Sequence, residues 1–286
     1  MDESIVIVAD SGSTKTDWMA GMSRFSTQGI NPVHQSDGDI AAILRAEMLP
    51  LLRQAMAQDG VRSDISAVMF YGSGVRADQE ERMVRLLSEA LADYRVGIIE
   101  AHSDLLGAAR ALCGDREGLA CILGTGANSC LYDGRRIVKN TPPMGYILGD
   151  EGSGAVLGAR FLNALYKGRI ARSVLDDFEE QMKEGLSSVI DRVYRQPLAN
   201  RWLASLSPFI HGHLDNPEVE AIVVGNFHDF IIRNVEPYGR RDLPLQAVGS
   251  IAFFYRDQLC EAARKAGYTV GKILRSPLSD KSIYSN

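Results

Sequence analysis

Two short turns rich in glycine and hydroxyl residues have the composition that phosphate binding uses. The first, residues 10–16 (DSGSTKT), follows a β-branched apolar run, and the second, residues 123–128 (LGTGAN), follows another. Small residues let backbone N–H groups and hydroxyls approach a phosphate without bulky side chains in the way. Either turn alone is equally well explained as an ordinary hairpin turn. Their repetition at equivalent places in two halves of the chain favours phosphate binding.

Neither turn is a familiar nucleotide motif. The sequence contains no GxxxxGK[ST] P-loop, and no GxGxxG lies between a strand and a helix. These observations exclude the two commonest phosphate loops and leave a paired-turn arrangement.

The elements around the two turns recur in the same order. In the first half, the pattern predicts strands at 5–9, 17–20, 65–71 and 95–100 and helices at 39–57, 83–91 and 103–112. In the second half, it predicts strands at 119–123, 129–132, 137–138, 245–248 and 269–274, helices over about 153–234 and a helix at 251–266. The order indicates an α/β protein in which one βββαβα unit is duplicated, with a helical insert in the second copy.

The composition limits the class of protein. With 286 residues, of which 45% are hydrophobic, the chain has material for roughly two domains, which excludes a disordered or fibrous protein. A net charge of -5 gives no basic surplus for nucleic acid. The N-terminus has no signal-peptide pattern, and no apolar run reaches the ~20 residues that span a bilayer. We therefore expect a cytoplasmic protein without a nucleic-acid or membrane partner.

Three motifs together resemble a known family. The segments DSGSTKTDW (10–18), LGTGANS (123–129) and GYILGDEGSG (145–154) are similar to the two phosphate motifs and the GDEGS signature of the N-acetylglucosamine kinase and BadF/BadG/BcrA/BcrD-type ATPase family. The resemblance extends from residue 5 to about residue 265. It implies the duplicated ribonuclease-H-like fold of actin-like ATPases, in which two domains close on a nucleotide cleft. The boundaries expected are 1–107, to which 275–286 is a candidate addition, and 108–274, with the insert at about 153–240.

The resemblance also implies roles for particular residues. ATP and Mg²⁺ are the implied cofactors, and Asp10 is the implied metal ligand. The residues implied to bind ATP are Ser11, Gly12, Ser13, Thr14, Lys15, Gly124, Thr125, Gly126, Gly249 and Ser250. Those implied to bind a sugar are Asn31, Asp104, Gly145, Tyr146 and Asp150. The adenine contacts stay open, because residues 210–240 match no nucleotide-binding pattern.

Asp104 is the candidate catalytic residue. A sugar hydroxyl that attacks a γ-phosphate needs a carboxylate to accept its proton, and the family places an aspartate at the start of the helix after its fifth strand. Without the resemblance, an aspartate stabilised by a helix N-terminus is the better reading. Asp150 and Glu151 are similarly ambiguous, because their segment is also a helix-capping arrangement. Asn31 is by composition a turn residue, and Gly249 a glycine that ends a strand.

Three functions remain open from the sequence. The first is an ATP-dependent kinase for a sugar hydroxyl, with the 6-hydroxyl of N-acetylglucosamine or a related amino sugar as the implied acceptor. The second is a BadF-type ATPase that energises a partner enzyme through an iron-sulfur cluster. The four cysteines count against it, because they form no CxxC pair and are interpreted as buried, reduced thiols. The third is a sugar-binding module that retains ATP. A homodimer stays open, and the histidines, including His211 and His213, are interpreted as solvated surface residues.

Overall fold

The computed structural model describes residues 4–12, 14–61, 64–280 and 283. Contacts within the chain divide it into two compact units, Met1–Gly114 with Pro277–Asn286, and Asp115–Ser276. The boundary expected from the sequence, after residue 107, falls inside a helix that packs wholly in the first unit.

The first unit is built on a five-stranded mixed sheet in the order β3-β2-β1-β4-β5. Its central strand is antiparallel to β2 and parallel to β4, which is in turn parallel to β5. The run of β-branched residues in β1 is buried because both faces of a central strand are covered. The strands are β1 (Ile5–Ser11), β2 (Lys15–Ala20), β3 (Ser23–Gln28), β4 (Asp64–Gly72) and β5 (Arg95–Ser103).

Four α-helices cover this sheet. They are α1 (Asp37–Ile43), α2 (Leu49–Gln58), α3 (Ala77–Ala90) and α4 (Asp104–Cys113), and a π-helical turn, Leu44–Met48, joins the first two. The first helix begins before the predicted residue 39 because Ser36 and Asp39 form a capping box. The hydroxyl of Ser36 accepts from the N–H of Asp39 at 3.2 Å, and the carboxylate of Asp39 accepts from the N–H of Ser36 at 3.0 Å.

A short 3₁₀ segment after the last strand belongs to the first unit. In Pro277–Ser279, Leu278 is buried and its carbonyl accepts a hydrogen bond from the guanidinium of Arg24 at 2.7 Å. Ile283 is buried as well. This segment is thus held on the first unit by the burial of two apolar side chains and by one charge-assisted hydrogen bond.

The second unit has a five-stranded sheet in the order β10-β9-β6-β7-β8. Its strands are β6 (Glu117–Leu123), β7 (Ala127–Asp133), β8 (Ile137–Thr141), β9 (Leu245–Val248) and β10 (Val270–Leu274). The central strand, β6, is antiparallel to β7 and parallel to β9. In the first unit, β1 is related to β2 and β4 in the same way. The two sheets therefore share one topology, which confirms the predicted duplicated α/β fold.

Most helices of the second unit lie between β8 and β9. They are α5 (Gly145–Leu148), α6 (Gly154–Tyr166), α7 (Arg172–Met182), α8 (Leu186–Tyr194), α9 (Ala199–Ser205), α10 (Ser207–His211) and α11 (Pro217–Phe230), followed by a π-helical turn, Ile231–Val235, and a 3₁₀ turn, Glu236–Tyr238. The single helix predicted at 251–266 is instead two, α12 (Ser250–Phe254) and α13 (Arg256–Lys265). The break lies at Tyr255, which is buried in a non-helical conformation and donates its hydroxyl to the carbonyl of Ser207 at 2.6 Å.

Two surface predictions are wrong. Cys260 is exposed rather than buried, because α13 turns a neighbouring face, with Leu259 and Ala263, toward the core. The other three cysteines are buried. His213 is not a solvated histidine, since its ring stacks on Phe209 at 4.2 Å and one nitrogen lies 2.8 Å from Asp177 Oδ2.

No helix in the part of the chain that the structure describes is both long enough and apolar enough to cross a membrane.

Candidate active site

The parallel strands β1, β4 and β5 of the first unit have their carboxyl ends at the same edge of the sheet. Ser11 on β1 pairs with Gly72 on β4, and Gly72 pairs with Ser103 on β5. Asp10 and Asp104 therefore lie at the same edge of the sheet, the one from which the loops and helix α4 leave. Sheets of this type bind ligands beyond the carboxyl ends of their strands.

Asp10 carries an unfavourable charge in the protein. The pKa of its carboxyl is raised from 3.8 to about 7, chiefly by burial and then by the negative charges of Asp104 and Asp17, while Lys15 opposes them. A carboxylate that is desolvated beside other carboxylates gains most from a nearby cation.

Asp104 is the first residue of α4 but not its cap. The preceding Ser103 is the N-cap and accepts from the N–H of Leu106 at 3.3 Å. The Asp104 carboxylate accepts from the N–H of Leu105 at 2.8 Å. Burial raises the pKa of Asp104, and this backbone hydrogen bond only partly offsets the rise. The helix is thus capped without Asp104, whose carboxyl is a stronger base than an exposed aspartate.

The first turn is closed by its own backbone. The N–H of Gly12 donates to the carbonyl of Lys15 at 3.0 Å, and the ammonium of Lys15 lies 2.8 Å from an oxygen of Asp17. The buried hydroxyl of Ser11 is used inside the unit, 2.6 Å from the hydroxyl of Thr16 and bonded to the backbone of residue 30. Thr14 is exposed. Ser13, also predicted to bind ATP, lies outside the described residues.

Asn31 lies beside the turn that follows β4. An ideal Cβ placed on Gly74, whose φ is +84°, would come within 2.3 Å of Asn31 Oδ1, so only glycine permits this approach. Gln35 braces the loop, because its side-chain oxygen accepts from the N–H of Asn31 at 2.7 Å. The N–H of Ser73 donates to the carbonyl of Ser11 at 2.8 Å. Residues 72–74 therefore belong to the candidate site as well. Their Gly-Ser-Gly sequence at the end of a strand is the feature from which this could have been predicted.

The second turn is joined to the start of helix α6. The N–H of Gly124 donates to the carbonyl of Gly126 at 3.0 Å, which closes the turn. The first two amides of the helix, at Gly154 and Ala155, donate to the carbonyls of Gly124 and Thr125 at 2.8 and 3.2 Å. This end of the helix therefore supports the turn, and half-buried Thr125 is held at its tip.

Asp150 lies against the second turn. An ideal Cβ on Gly126 would be 3.1 Å from its carboxylate. Burial raises the pKa of Asp150, while hydrogen bonds from the N–H groups of Gly145 and Ala127 lower it, and the neighbouring Glu151 raises it. Its backbone is left-handed, with φ of +54°, a conformation that aspartate tolerates better than most residues. The predicted residues Asp150 and Gly145 are thus brought together with the turn.

Tyr146 and Ser250, also predicted site residues, have different surroundings. Tyr146 packs against the core of the second unit and lines a groove of about 670 Å³ between α6 and α11. Ser250 is exposed at the start of α12.

Gly249 is required by close packing. Its φ is +122°, and an ideal Cβ would lie 2.3 Å from the carbonyl oxygen of Leu123, the residue that enters the second turn. Its N–H donates to the carbonyl of Leu274 at 3.0 Å. The end of β9 is therefore fixed against the second turn.

Asn226 is a site-supporting residue that the sequence analysis missed. Its fully buried amide accepts from the N–H of Gly152 at 3.1 Å and donates to the carbonyl of Ser153 at 3.2 Å, which fixes the loop after Asp150. The signal was a single amide within the apolar run 223–227 on α11.

The donor set at Asp10 fits magnesium. Among the described residues, no three histidine, cysteine or acidic side chains form a cluster that could hold a metal ion. Magnesium does not need one, since it is commonly bound by one or two carboxylates together with substrate phosphates and water. A carboxylate with excess local negative charge, such as Asp10, meets that requirement.

Comparisons with known proteins agree with this architecture. No protein-family model matches the sequence, and no curated protein matches it either. Among solved structures, a Porphyromonas gingivalis protein provisionally named an N-acetylglucosamine kinase is 46% identical, with 98% of each chain covered and a TM-score of 0.90. A Chromobacterium violaceum protein with the same provisional name is 18% identical, with 99% of each chain covered and a TM-score of 0.74. The ethanolamine utilization protein EutJ of Carboxydothermus hydrogenoformans is 14% identical, with 99% of this chain and 89% of that one covered and a TM-score of 0.53.

The last two similarities show the fold alone. Together with two units of one topology and a carboxylate pair at a carboxyl edge, they define an actin-like ATPase fold. The similarity at 46% identity over nearly the whole of both chains is more specific. The chain belongs to the N-acetylglucosamine kinase family, as its three motifs predicted.

Proposed function

We propose that this protein is an ATP-dependent kinase that phosphorylates a sugar hydroxyl, and that the acceptor is the 6-hydroxyl of N-acetylglucosamine or a related amino sugar. The proposal rests first on the carboxylates of Asp10 and Asp104, which share one sheet edge and act on each other electrostatically. It is supported by the 46% identity to a protein provisionally named an N-acetylglucosamine kinase. A pair with one metal-binding and one basic carboxylate is what phosphoryl transfer to a hydroxyl needs.

In the proposed reaction, Asp104 accepts the proton of the attacking sugar hydroxyl. The hydroxyl oxygen forms a bond to the γ-phosphorus while the bond from that phosphorus to the bridging oxygen of ADP breaks, so the products are the sugar phosphate and ADP. Burial, which raises the pKa of Asp104, makes it a better proton acceptor than a solvated carboxylate. Asn31, beside the Gly-Ser-Gly turn of the same unit, is proposed to orient the sugar.

Asp10 is the proposed magnesium ligand. When bound, Mg²⁺ supplies charge neutralisation at the phosphates. The turns carrying Thr14 and Thr125 are proposed to contact the phosphates, with Asp150 holding the second of them in shape.

A panel of sugars tests the function. We expect ADP release from Mg²⁺-ATP to require a sugar. The release should be faster with N-acetylglucosamine than with N-acetylmannosamine, N-acetylmuramic acid, glucosamine or glucose. Phosphorus-coupled NMR of the product should place the phosphate on carbon 6. ADP release that no sugar in the panel stimulates would contradict the proposed kinase activity, and a phosphate on another carbon would contradict the 6-hydroxyl assignment alone.

Replacing either turn threonine should weaken nucleotide binding. Mg²⁺-ATP is expected to raise the Tm of the wild type, because a ligand that binds only the folded state stabilises it. Thr14→Val and Thr125→Val each remove one hydroxyl and should each reduce the shift in Tm at a fixed ATP concentration. Thr269→Val, at an exposed residue just before β10, is the matched control and should keep the full shift. Equal shifts in all four proteins would remove the two turns from the proposal.

The purified protein should contain no iron-sulfur cluster. A [4Fe–4S] cluster takes four thiolates, whereas Cys260 is the only exposed cysteine among the four in the chain. Two copies of the chain would offer two exposed thiols. Anaerobically purified protein should be colourless, without absorbance near 400 nm. Iron and sulfide in stoichiometric amounts would instead support an ATPase that activates a partner enzyme.

A further inference from the structure

His102 is placed between two carboxylates in the first unit. It lies on β5, two residues before Asp104, with Nδ1 3.1 Å from Glu80 Oε1 on α3 and Nε2 3.3 Å from Glu100 Oε2. Its side chain is only 23% exposed. His102 thus ties helix α3 to strand β5.

The contacts continue from Glu100 to helix α4. The guanidinium of Arg110 lies 3.8 Å from Glu100 and donates to the hydroxyl of Tyr71 at 2.7 Å. It also lies over the ring of Tyr71, 5.7 Å from the ring centre. The ring of Tyr71 is 6.2 Å from that of His102.

Tyr71 packs directly against the first turn of α4. An ideal Cβ on Gly107 would lie 2.6 Å from the Tyr71 ring, so the helix backbone rests on that ring. Gly107 is three residues after Asp104, less than one helical turn. Any displacement of the Tyr71 ring therefore moves the segment that carries Asp104.

We propose that His102 is a positioning residue for Asp104. Through Glu100, Arg110 and Tyr71, it fixes the first turn of α4 and hence the place of the proposed proton acceptor. This inference rests on the proposed function for the role of Asp104. It assigns His102 no contact with the substrate.

The test is the variant His102→Gln, which lacks the ring whose two nitrogens contact Glu80 and Glu100. We expect kcat to fall by about tenfold, less than the ~10²-fold that a 1 Å misplacement can cost, with the KM for ATP little changed. Amide hydrogen exchange gives a second readout. The N–H groups of Leu105 and Leu106, bonded to Asp104 and Ser103, should exchange faster in the variant.

His213→Gln is the matched control. His213 also contacts a carboxylate, Asp177, at 2.8 Å and has a similar exposed fraction of 19%, but it lies in the helical insert of the second unit. Both variants should lower Tm, and only His102→Gln should change kcat and the exchange of Leu105 and Leu106. The inference is overturned if His102→Gln changes these two quantities no more than the control does.

A milder variant keeps the test decisive if His102→Gln does not fold. Tyr71→Phe retains the ring against Gly107 and removes only the hydroxyl that Arg110 holds. It should change kcat and the exchange of Leu105 in the same direction, by less, and wild-type values for both would overturn the inference. The measurement of amide hydrogen exchange does not depend on enzyme activity. If the wild type phosphorylates no sugar, the proposed function fails, while faster exchange still supports the link to α4 and unchanged exchange refutes it.

Discussion

Asp104→Asn is expected to lower kcat for sugar phosphorylation by at least the ~10²-fold that the loss of a general base costs. The amide keeps the shape of the carboxylate and can accept the hydrogen bond that Leu105 donates at 2.8 Å. It cannot take a proton from the sugar. Because the helix is capped by Ser103, we expect the variant to fold normally. Steady-state kinetics with the best sugar, together with the ATP-dependent shift in Tm, gives both quantities, and the shift should stay close to that of the wild type.

The matched control separates capping from chemistry. Ser103→Ala removes the hydroxyl that accepts from the N–H of Leu106 and leaves Asp104 in place. It should lower the free energy of unfolding by about 1 kcal/mol and lower kcat far less than Asp104→Asn does. In the wild type, kcat should also fall at acid pH as Asp104 becomes protonated, and Asp104→Asn should lack that acid limb. Near wild-type kcat in Asp104→Asn would leave Asp104 with no catalytic role.

Local patterns predicted most of the elements. The β-branched run at the start of the chain and the apolar run 119–123 both form central strands, because a strand covered on both faces needs apolar residues throughout. The single helix predicted at 251–266 is broken because the hydroxyl of Tyr255 reaches Ser207, a partner far away in the sequence. No periodicity within 251–266 carries that information.

In the candidate site, too, some features could be predicted from the sequence and others could not. The resemblance supplied Asp10 and Asp104, and the register of β1, β4 and β5 places them at one edge. The approach of Gly74 to Asn31 was not predictable, since it depends on loops that meet only in the folded chain. The same is true of Gly249, whose lack of a side chain reflects the nearby backbone of Leu123. A sequence motif identifies such residues without saying which neighbour requires them.

Asp10→Asn is expected to stabilise the protein in the absence of nucleotide and magnesium. The carboxyl of Asp10 has a pKa of about 7 in the folded protein and an ordinary value of 3.8 when unfolded, chiefly because it is buried and lies near Asp104. Between these values the folded state holds a proton that the unfolded state has lost. The free energy of unfolding therefore decreases as pH rises from about 4 to about 7. An asparagine, which carries no charge, is free of this penalty.

The size and the pH dependence of the effect are both testable. The difference between 3.8 and about 7 corresponds to at most about 4 kcal/mol at pH 8. Denaturant unfolding in magnesium-free buffer should show Asp10→Asn and wild type almost equal near pH 4, with the variant increasingly more stable toward pH 8. A variant less stable than the wild type at pH 8 would contradict the unfavourable charge at Asp10.

Asp37→Asn is the control of opposite sign. Hydrogen bonds from Arg85 and Arg82 lower the pKa of Asp37, so its charge stabilises the folded state above the ordinary pKa and this stabilisation is lost as pH falls. That variant should be less stable than the wild type at neutral pH and approach it in acid.

Addition of Mg²⁺ and ATP should reverse the order for Asp10. The wild type gains stability because its carboxylate is the proposed metal ligand, whereas Asp10→Asn should lose most of the magnesium-dependent part of the shift in Tm. A residue that destabilises the free protein and stabilises the complex serves binding rather than folding. If Asp10→Asn retains the full magnesium-dependent shift, Asp10 does not hold the metal, whatever its effect on the free protein.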